Sequence, residues 1–287
     1  MHPIAITAIR TYFSAMQRIA PRVAGRQAFR LFSTPRFRRP TPPAVVDVME
    51  RSERFSFEVE GEKVIGYRWD AADAGAPRVL LVHGWESRAS RLAIWVDPLL
   101  HAGFSVVAFD APGHGESSGR RSSPILFSRA ARRAVDHVGA IDGVIGHSLG
   151  GLSSAIAITA AELIDERRLD PRRLLILAGA ESGAEAMGFF CSALGLPDDF
   201  LPVLLDGAAE LSGHRPATFD GHRILARRPV ETLWLHDPED GEASWVGAQR
   251  VAEAAPHVEV VAVEDVGHHR IARDPNVIRR GVEFLAA

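Results

Sequence analysis

The chain has 287 residues, a net charge of −3 and the hydrophobic and charged content of an ordinary soluble globular protein, enough for one large α/β domain with an insertion or for two small domains. That balance gives no overall attraction to nucleic acid, and no apolar run approaches the roughly 20 residues that span a bilayer. The single cysteine, Cys191, excludes an internal disulfide and fits a reducing compartment, with the cytoplasm as the expected location.

The first forty residues carry Arg10, Arg18, Arg22, Arg26, Arg30, Arg36, Arg38 and Arg39 and no acid. Ala5, Ile9, Tyr12, Phe13, Met16, Ala20 and Val23 recur at helical spacing, which predicts a basic amphipathic helix. Its apolar side calls for a cover: its own domain, a second subunit through self-association, or a peripheral contact with a membrane surface. Arg10 interrupts the apolar stretch and argues against a secretory signal, while an organellar transit peptide stays open. Residues 36–43 read as a proline-bearing linker, so 1–43 form an extension and 44–287 the main domain.

Beyond Pro43, residues 55–59 and 64–69 flank a short polar turn and predict an antiparallel hairpin at a sheet edge. Short buried strands follow at 78–83, 104–110, 141–145, 173–177, 232–235 and 257–263. Helices are expected over 92–102, 125–138, 149–164, 244–255 and 276–285. This alternation predicts a mostly parallel sheet with helices on both faces, an α/β fold whose active groups lie at the carboxyl ends of the strands. Residues 178–228 break the rhythm with apolar segments and no clear strand, too long for an ordinary crossover. A helical cap at about 180–229 is the economical reading, either shaping a substrate pocket or serving as plain packing. Within it, Phe189 and Phe190 are candidate pocket residues, and Cys191 beside them reads as a packed thiol.

The segment Gly146-His147-Ser148-Leu149-Gly150-Gly151 sits between a predicted strand and a predicted helix. That is the Gly-x-Ser-x-Gly elbow, a sharp turn that presents a serine hydroxyl and leaves no room for side chains at the glycine positions. His147, inside it, is a further pocket candidate. A hydroxyl is a poor nucleophile at neutral pH, so Ser148 needs a base, and the base needs a carboxylate to orient it. His268 directly follows the last strand and is the expected base, with His269 the adjacent alternative. Asp240 and Asp237 both follow the strand at 232–235; Asp240 has room to turn back, and Asp237 is the alternative acid. The charge that develops on a carbonyl oxygen needs amide donors, expected from Leu149 and, beyond the tight turn at Gly84, from Trp85.

With these residues in place, LLVHGW at 80–85, FDAPGHGES at 109–117, GHSLGG at 146–151, LHDPED at 235–240 and VGHHRIARDP at 266–275 together resemble the α/β-hydrolase superfamily from Val79 onward. The resemblance is nearest to bacterial serine hydrolases of the esterase, lipase and thioesterase-like kind. It implies Ser148 as nucleophile, Asp240 as acid, His268 as base, and His114 as scaffold in a shared turn. Where relatives often have His-Gly-x-x-Asp, this chain has Asp237 in the glycine position. Dehalogenases and epoxide hydrolases place aspartate at the elbow, which Ser148 argues against. No metal-binding His-Glu-x-x-His pair and no phosphate-loop ending occur, so neither a metal nor a cofactor is expected. The expected activity is cleavage of a small-molecule ester or acyl substrate through an acyl-enzyme. The alternatives are an acyltransferase or thioesterase with the same residues and a non-catalytic binding protein on the same fold.

Overall fold

The computed structural model describes residues 3–38 and 40–287, with side chains from residue 6 onward. Of the sequence readings, Arg39 in the basic run and in the linker, and the side chain of Ala5, lie outside the described residues. In chain order the elements are helices α1 (Pro3–Ile19), α2 (Pro21–Phe32) and α3 (Val46–Glu50), strands β1 (Glu53–Val59), β2 (Glu62–Trp69) and β3 (Arg78–Val82), then α4 (Val96–His101), β4 (Ser105–Asp110), α5 (Pro124–Val138), β5 (Gly143–His147) and α6 (Leu149–Thr159). There follow β6 (Arg173–Leu177), α7 (Gly183–Leu194), α8 (Phe200–Ser212), α9 (Gly221–Leu225), β7 (Glu231–His236), α10 (Trp245–Ala254), β8 (Val258–Ala262), α11 (Gly267–Arg270) and α12 (Pro275–Ala286).

Two compact units emerge: residues up to Thr34 together with Ser182–Asp220, and Pro35–Glu181 together with Gly221–Ala287. The larger unit is an eight-stranded sheet in the order β1-β2-β4-β3-β5-β6-β7-β8. β1 and β2 form an antiparallel hairpin, β2 pairs antiparallel with β4, and the remaining neighbours are parallel. The hairpin turns on Glu60 and Gly61, at φ 49 and 79; positive values at both central residues match the twist of the flanking strands. The central strands are apolar and buried almost throughout because helices cover both faces. Leu81, Trp95, Leu99, Val106, Ile145, Leu175, Leu235, Ile271 and Val277 fill one side of this core, and the buried Trp95 Nε1 donates to the Ala272 carbonyl at 2.8 Å.

Two predicted helices start or end differently. The 92–102 segment begins as tight single turns, and regular helix starts only at Val96, since Pro98 has no N–H to give the carbonyl of Ile94. The 149–164 helix gives way after Thr159 to a short turn at Ala161–Ile164.

The smaller unit joins two segments distant in sequence. The single N-terminal helix expected over residues 5–23 is in fact two: Ala20, at φ −147 and ψ 69, interrupts it, and Pro21 starts the second helix, as a residue before proline is driven out of the helical region. Phe13, Ala24 and Ala28 pack with Met187, Cys191, Leu194, Phe200, Leu204 and Ala208 of the insertion. Tyr12 and Val23, read as part of the apolar face, are exposed. α2 and α8 approach so closely that a side-chain carbon at Gly25 would lie 2.2 Å from the Val203 carbonyl oxygen, and one at Gly207 would lie 2.1 Å from the Gly25 backbone. At the rim, Arg22 and Arg26 reach Glu210 at 3.4 and 3.5 Å, and Gln17 donates to Asp199. The basic N-terminal helices thus find acids on the insertion of their own chain. Burial pushes the Cys191 thiol up to about 11, which leaves it a protonated packing group.

The linker does not hang free. Within the larger unit the Arg36 amide donates to Glu86 at 2.8 Å, and the Arg38 guanidinium donates to the carbonyls of Gly115, Ser117 and Gly119. Among the described residues no helix is long and apolar enough to cross a membrane.

Candidate active site

β5 ends at His147 and α6 begins at Leu149, so the whole reversal falls on Ser148, at φ 55 and ψ −122. A non-glycine residue there costs on the order of 1–3 kcal/mol and persists only when its surroundings hold it. They do. The Ser148 amide donates to the Leu177 carbonyl at 2.9 Å, and its carbonyl accepts from Gly151 at 2.9 Å. A side-chain carbon at Gly146 would lie 2.6 Å from Gly151, and one at Gly150 would lie 2.1 Å from the Val82 carbonyl oxygen. The elbow glycines therefore let α6 start directly against the ends of β3 and β5.

His268 Nε2 lies 3.0 Å from Ser148 Oγ, and His268 Nδ1 lies 2.7 Å from Asp240 Oδ2. The carboxylate fixes the proton on Nδ1 and turns the Nε2 lone pair toward the hydroxyl. Asp240 is fully buried at its side chain, and its Oδ1 accepts from the amides of Glu242 and Ala243 at 2.7 and 3.1 Å. Burial works to raise its pKa, but the hydrogen bond and charge of His268 and the two amides outweigh that and hold the carboxyl below its ordinary range.

Asp237 stands elsewhere. Its Oδ2 accepts from the amides of Val266 and Gly267 at 2.9 and 2.5 Å, and its Oδ1 from Glu239 at 2.9 Å. Burial opposes ionisation, yet the bonds from Gly267, Glu239 and Val266 prevail and keep it charged. It clamps the loop that carries His268 to the end of β7. The residue in the usual glycine position is thus a brace for the loop of His268, and the structure brings Asp240, not Asp237, to His268.

Three more histidines hold the surroundings. His147 is buried, and its Nε2–H donates to the His268 carbonyl at 2.8 Å; burial, then the neighbouring His268, push its pKa down to about 4, so it is neutral. Expected in the pocket wall, it is committed to the backbone of the residue it supports. His83 accepts from the Ala111 amide and His114 from the Glu86 amide, at 3.0 and 3.1 Å. Burial lowers them to about 4 and about 3, keeping both neutral acceptors. His114 accordingly sits in the scaffold, edge-on to Trp85.

Parallel pairing of Val82 with Gly146 brings the end of β3 to the elbow. A side-chain carbon at Gly84 would lie 3.0 Å from Ser148 Cβ, so the backbone leading into Trp85 passes directly beside the serine. Leu149 is the first residue of α6, where amides have no partner inside the helix. Phe189 and Phe190 belong to the helical unit: Phe190 packs edge-on against Phe32, and Phe189 is exposed. Sequence reasoning missed Glu242, whose carboxylate lies 3.2 Å from His269 Nε2 and 3.9 Å from His268 Nε2; its only sequence signal was its place two residues after Asp240.

A buried strand–elbow–helix in a largely parallel sheet, with histidine and carboxylate supplied after the last strands, defines a class of enzyme scaffold. The chain belongs to the alpha/beta hydrolase family, whose sequence profile matches residues 79–280. It is similar to the hydrolase 2 of Pseudomonas putida that is named for 2-hydroxy-6-oxononadienedioate and 2-hydroxy-6-oxononatrienedioate, 30% identical over 203 residues, covering 68% of this chain and 63% of that protein. It is also similar to the dihydrolipoyllysine-residue acetyltransferase component of the acetoin cleaving system of Cupriavidus necator, 34% identical over 111 residues, 37% of this chain and 29% of that protein. The chain thus spans less than two thirds of the length of either relative. In fold it resembles an esterase of Pyrococcus furiosus, with a TM-score of 0.66 at 18% identity over 88% of this chain and 96% of that one.

Proposed function

We propose that the protein is a serine hydrolase that cleaves carboxylic esters through an acyl-enzyme, with Ser148 as nucleophile, His268 as base and Asp240 as acid. The observation that carries this reading is the unbroken line from Asp240 through His268 to the Ser148 hydroxyl, at 2.7 and 3.0 Å. Ser148 Oγ attacks the ester carbonyl as His268 Nε2 takes its proton. The oxygen turned anionic is met by the amides of Leu149 and Trp85, which stabilise charge that exists only on the way to product. His268 gives the proton to the leaving alcohol, then activates water to release the acid, while Asp240 stabilises the imidazolium.

The test is a fluorophosphonate probe read by intact mass together with turnover of p-nitrophenyl esters of graded chain length. One adduct on Ser148 is expected, with a loss of roughly 10⁴–10⁶ in kcat on Ser148→Ala. No adduct, or unchanged turnover in that variant, overturns the reading. The similarity to an acetyltransferase component supports a second reading, transfer of the acyl group to an alcohol or thiol. Both readings share the acyl-enzyme, and product analysis with competing acceptors separates them.

A further inference from the structure

One cluster of side chains beside the candidate base is used by no step above. His269, adjacent to His268 on α11, is exposed, and its Nε2 lies 3.2 Å from Glu242 Oε1. The other oxygen of that carboxylate, Oε2, lies 3.9 Å from His268 Nε2. A ring nitrogen of His268 and one of His269 lie within 4.8 Å of each other. Two imidazoles and one carboxylate are a frequent donor set for zinc, which binds nitrogen and oxygen at about 2.0–2.2 Å. Tetrahedral bonds of that length separate neighbouring donor atoms by about 3.3–3.6 Å. Glu242 Oε1 lies near one imidazole and Oε2 near the other, so the carboxylate faces both nitrogens, and rotation of its side chain brings an oxygen to the separation that an ion between them requires.

The tautomer is also the one a metal needs. Because His268 Nδ1–H is held by Asp240 at 2.7 Å, Nε2 carries the lone pair; a carboxylate behind a histidine is the usual outer support of a zinc ligand. His147 is the third imidazole within range, but it is buried, its Nε2 donates to the His268 carbonyl and its Nδ1 lies against Gly84, so the exposed Glu242 is the better third ligand. Glu242 in turn is fixed from behind, since its amide donates to Asp240 Oδ1 at 2.7 Å. Both outer ligands are open to solvent, with side chains 66% and 57% exposed for His269 and Glu242, so an ion has a path in.

We propose that His268, His269 and Glu242 form a zinc site in which the metal takes the same Nε2 lone pair that activates Ser148, so that zinc reversibly switches the enzyme off. The switching half of this rests on His268 being the base; the metal site does not. No bond to substrate is involved: zinc and the Ser148 proton compete for one electron pair, and a chelator returns it.

The experiment uses the full chain with zinc alone as ligand. Calorimetry on Ser148→Ala is expected to give one zinc per chain, and cobalt in its place a visible absorption of tetrahedral strength. Ester turnover by the unaltered protein is expected to fall with added zinc and to return with EDTA. His269→Gln and Glu242→Gln, each compared with itself with and without metal, are expected to raise the inhibiting zinc concentration by at least about 10- to 100-fold. Zinc inhibition of equal potency in both variants, or no zinc bound by Ser148→Ala, overturns the proposal. If Ser148→Ala binds one zinc and no ester is turned over by the unaltered protein, the metal site is supported and the esterase reading alone is lost.

Discussion

Each of the two units has an interior held by its own physics. In the sheet unit the buried interior is full of polar groups: Asp110, His83, His114, His147, His236, Asp237 and His268 are all nearly inaccessible, as is the side chain of Asp240. Each is satisfied by a specific partner, as burial without one would cost several kcal/mol. The helical unit buries Phe13, Met187, Leu194, Phe200 and Leu204 around a glycine-to-glycine helix crossing and leaves its charges at the rim. A unit with a polar interior is therefore sensitive to protonation, and a unit built on shape is sensitive to volume.

The sharpest way to break this contrast begins with the two aspartates. Asp240→Asn removes the charge that holds the His268 tautomer and is expected to cost about 10⁴-fold in kcat with little change in melting temperature. Asp237→Asn weakens the clamp on Val266 and Gly267, so a loss of about 1–3 kcal/mol in stability should dominate over a smaller loss of rate. The reverse pattern in steady-state kinetics and thermal melts would exchange their roles. In the helical unit, Gly25→Leu forces a side chain into the Val203 backbone. A local loss of about 3 kcal/mol or more is expected, read by hydrogen exchange as faster opening of α2 and α8 with the sheet strands unchanged.

Acid should act on the other unit. His83 and His147 fall to about 4 and His114 to about 3 in the folded protein, against about 6.5 when unfolded. Their folded pKa values are depressed, so the unfolded chain binds more protons below about 6.5. Stability is then fully present above that pH and is lost on acidification toward 4, by up to about 1.4 kcal/mol per pH unit for each ring. Asp237 and Asp240, also depressed, add a further loss below their ordinary range. Exchange protection measured between pH 7 and 4.5 should fall in the sheet strands first. The smallest effect belongs to the helical rim: Glu210→Gln, which removes two exposed ion pairs, is expected to cost under about 1 kcal/mol in a urea titration.

Much of the sheet was legible because its signals are local. The elbow around Ser148, the hairpin turn at Glu60 and Gly61, and the short apolar strands each need only neighbouring residues to declare themselves. The approach of His268 to Ser148 could be anticipated from its place after the last strand. The role of Asp237 could not, because an aspartate that binds amides thirty positions away looks the same in sequence as one that binds a histidine. The pairing of the N-terminal helices with residues 182–220 was hidden for a similar reason. Its one trace was the charge pattern, eight arginines without an acid in the first forty residues against Glu185, Asp198, Asp199, Asp206 and Glu210 in the insertion. The break at Ala20 was open to reading, since Pro21 follows it, but the apolar spacing runs across the proline and masks it.

A unit assembled from residues up to Thr34 and from Ser182–Asp220 has a consequence for how the chain is made. The first two helices leave the ribosome long before their packing partners exist. At about 5–20 residues per second the second segment is finished roughly ten to forty seconds later. For that interval Phe13, Ala24 and Ala28 have none of their final neighbours from the insertion, and the nascent chain is open to chaperones, proteases and its own copies.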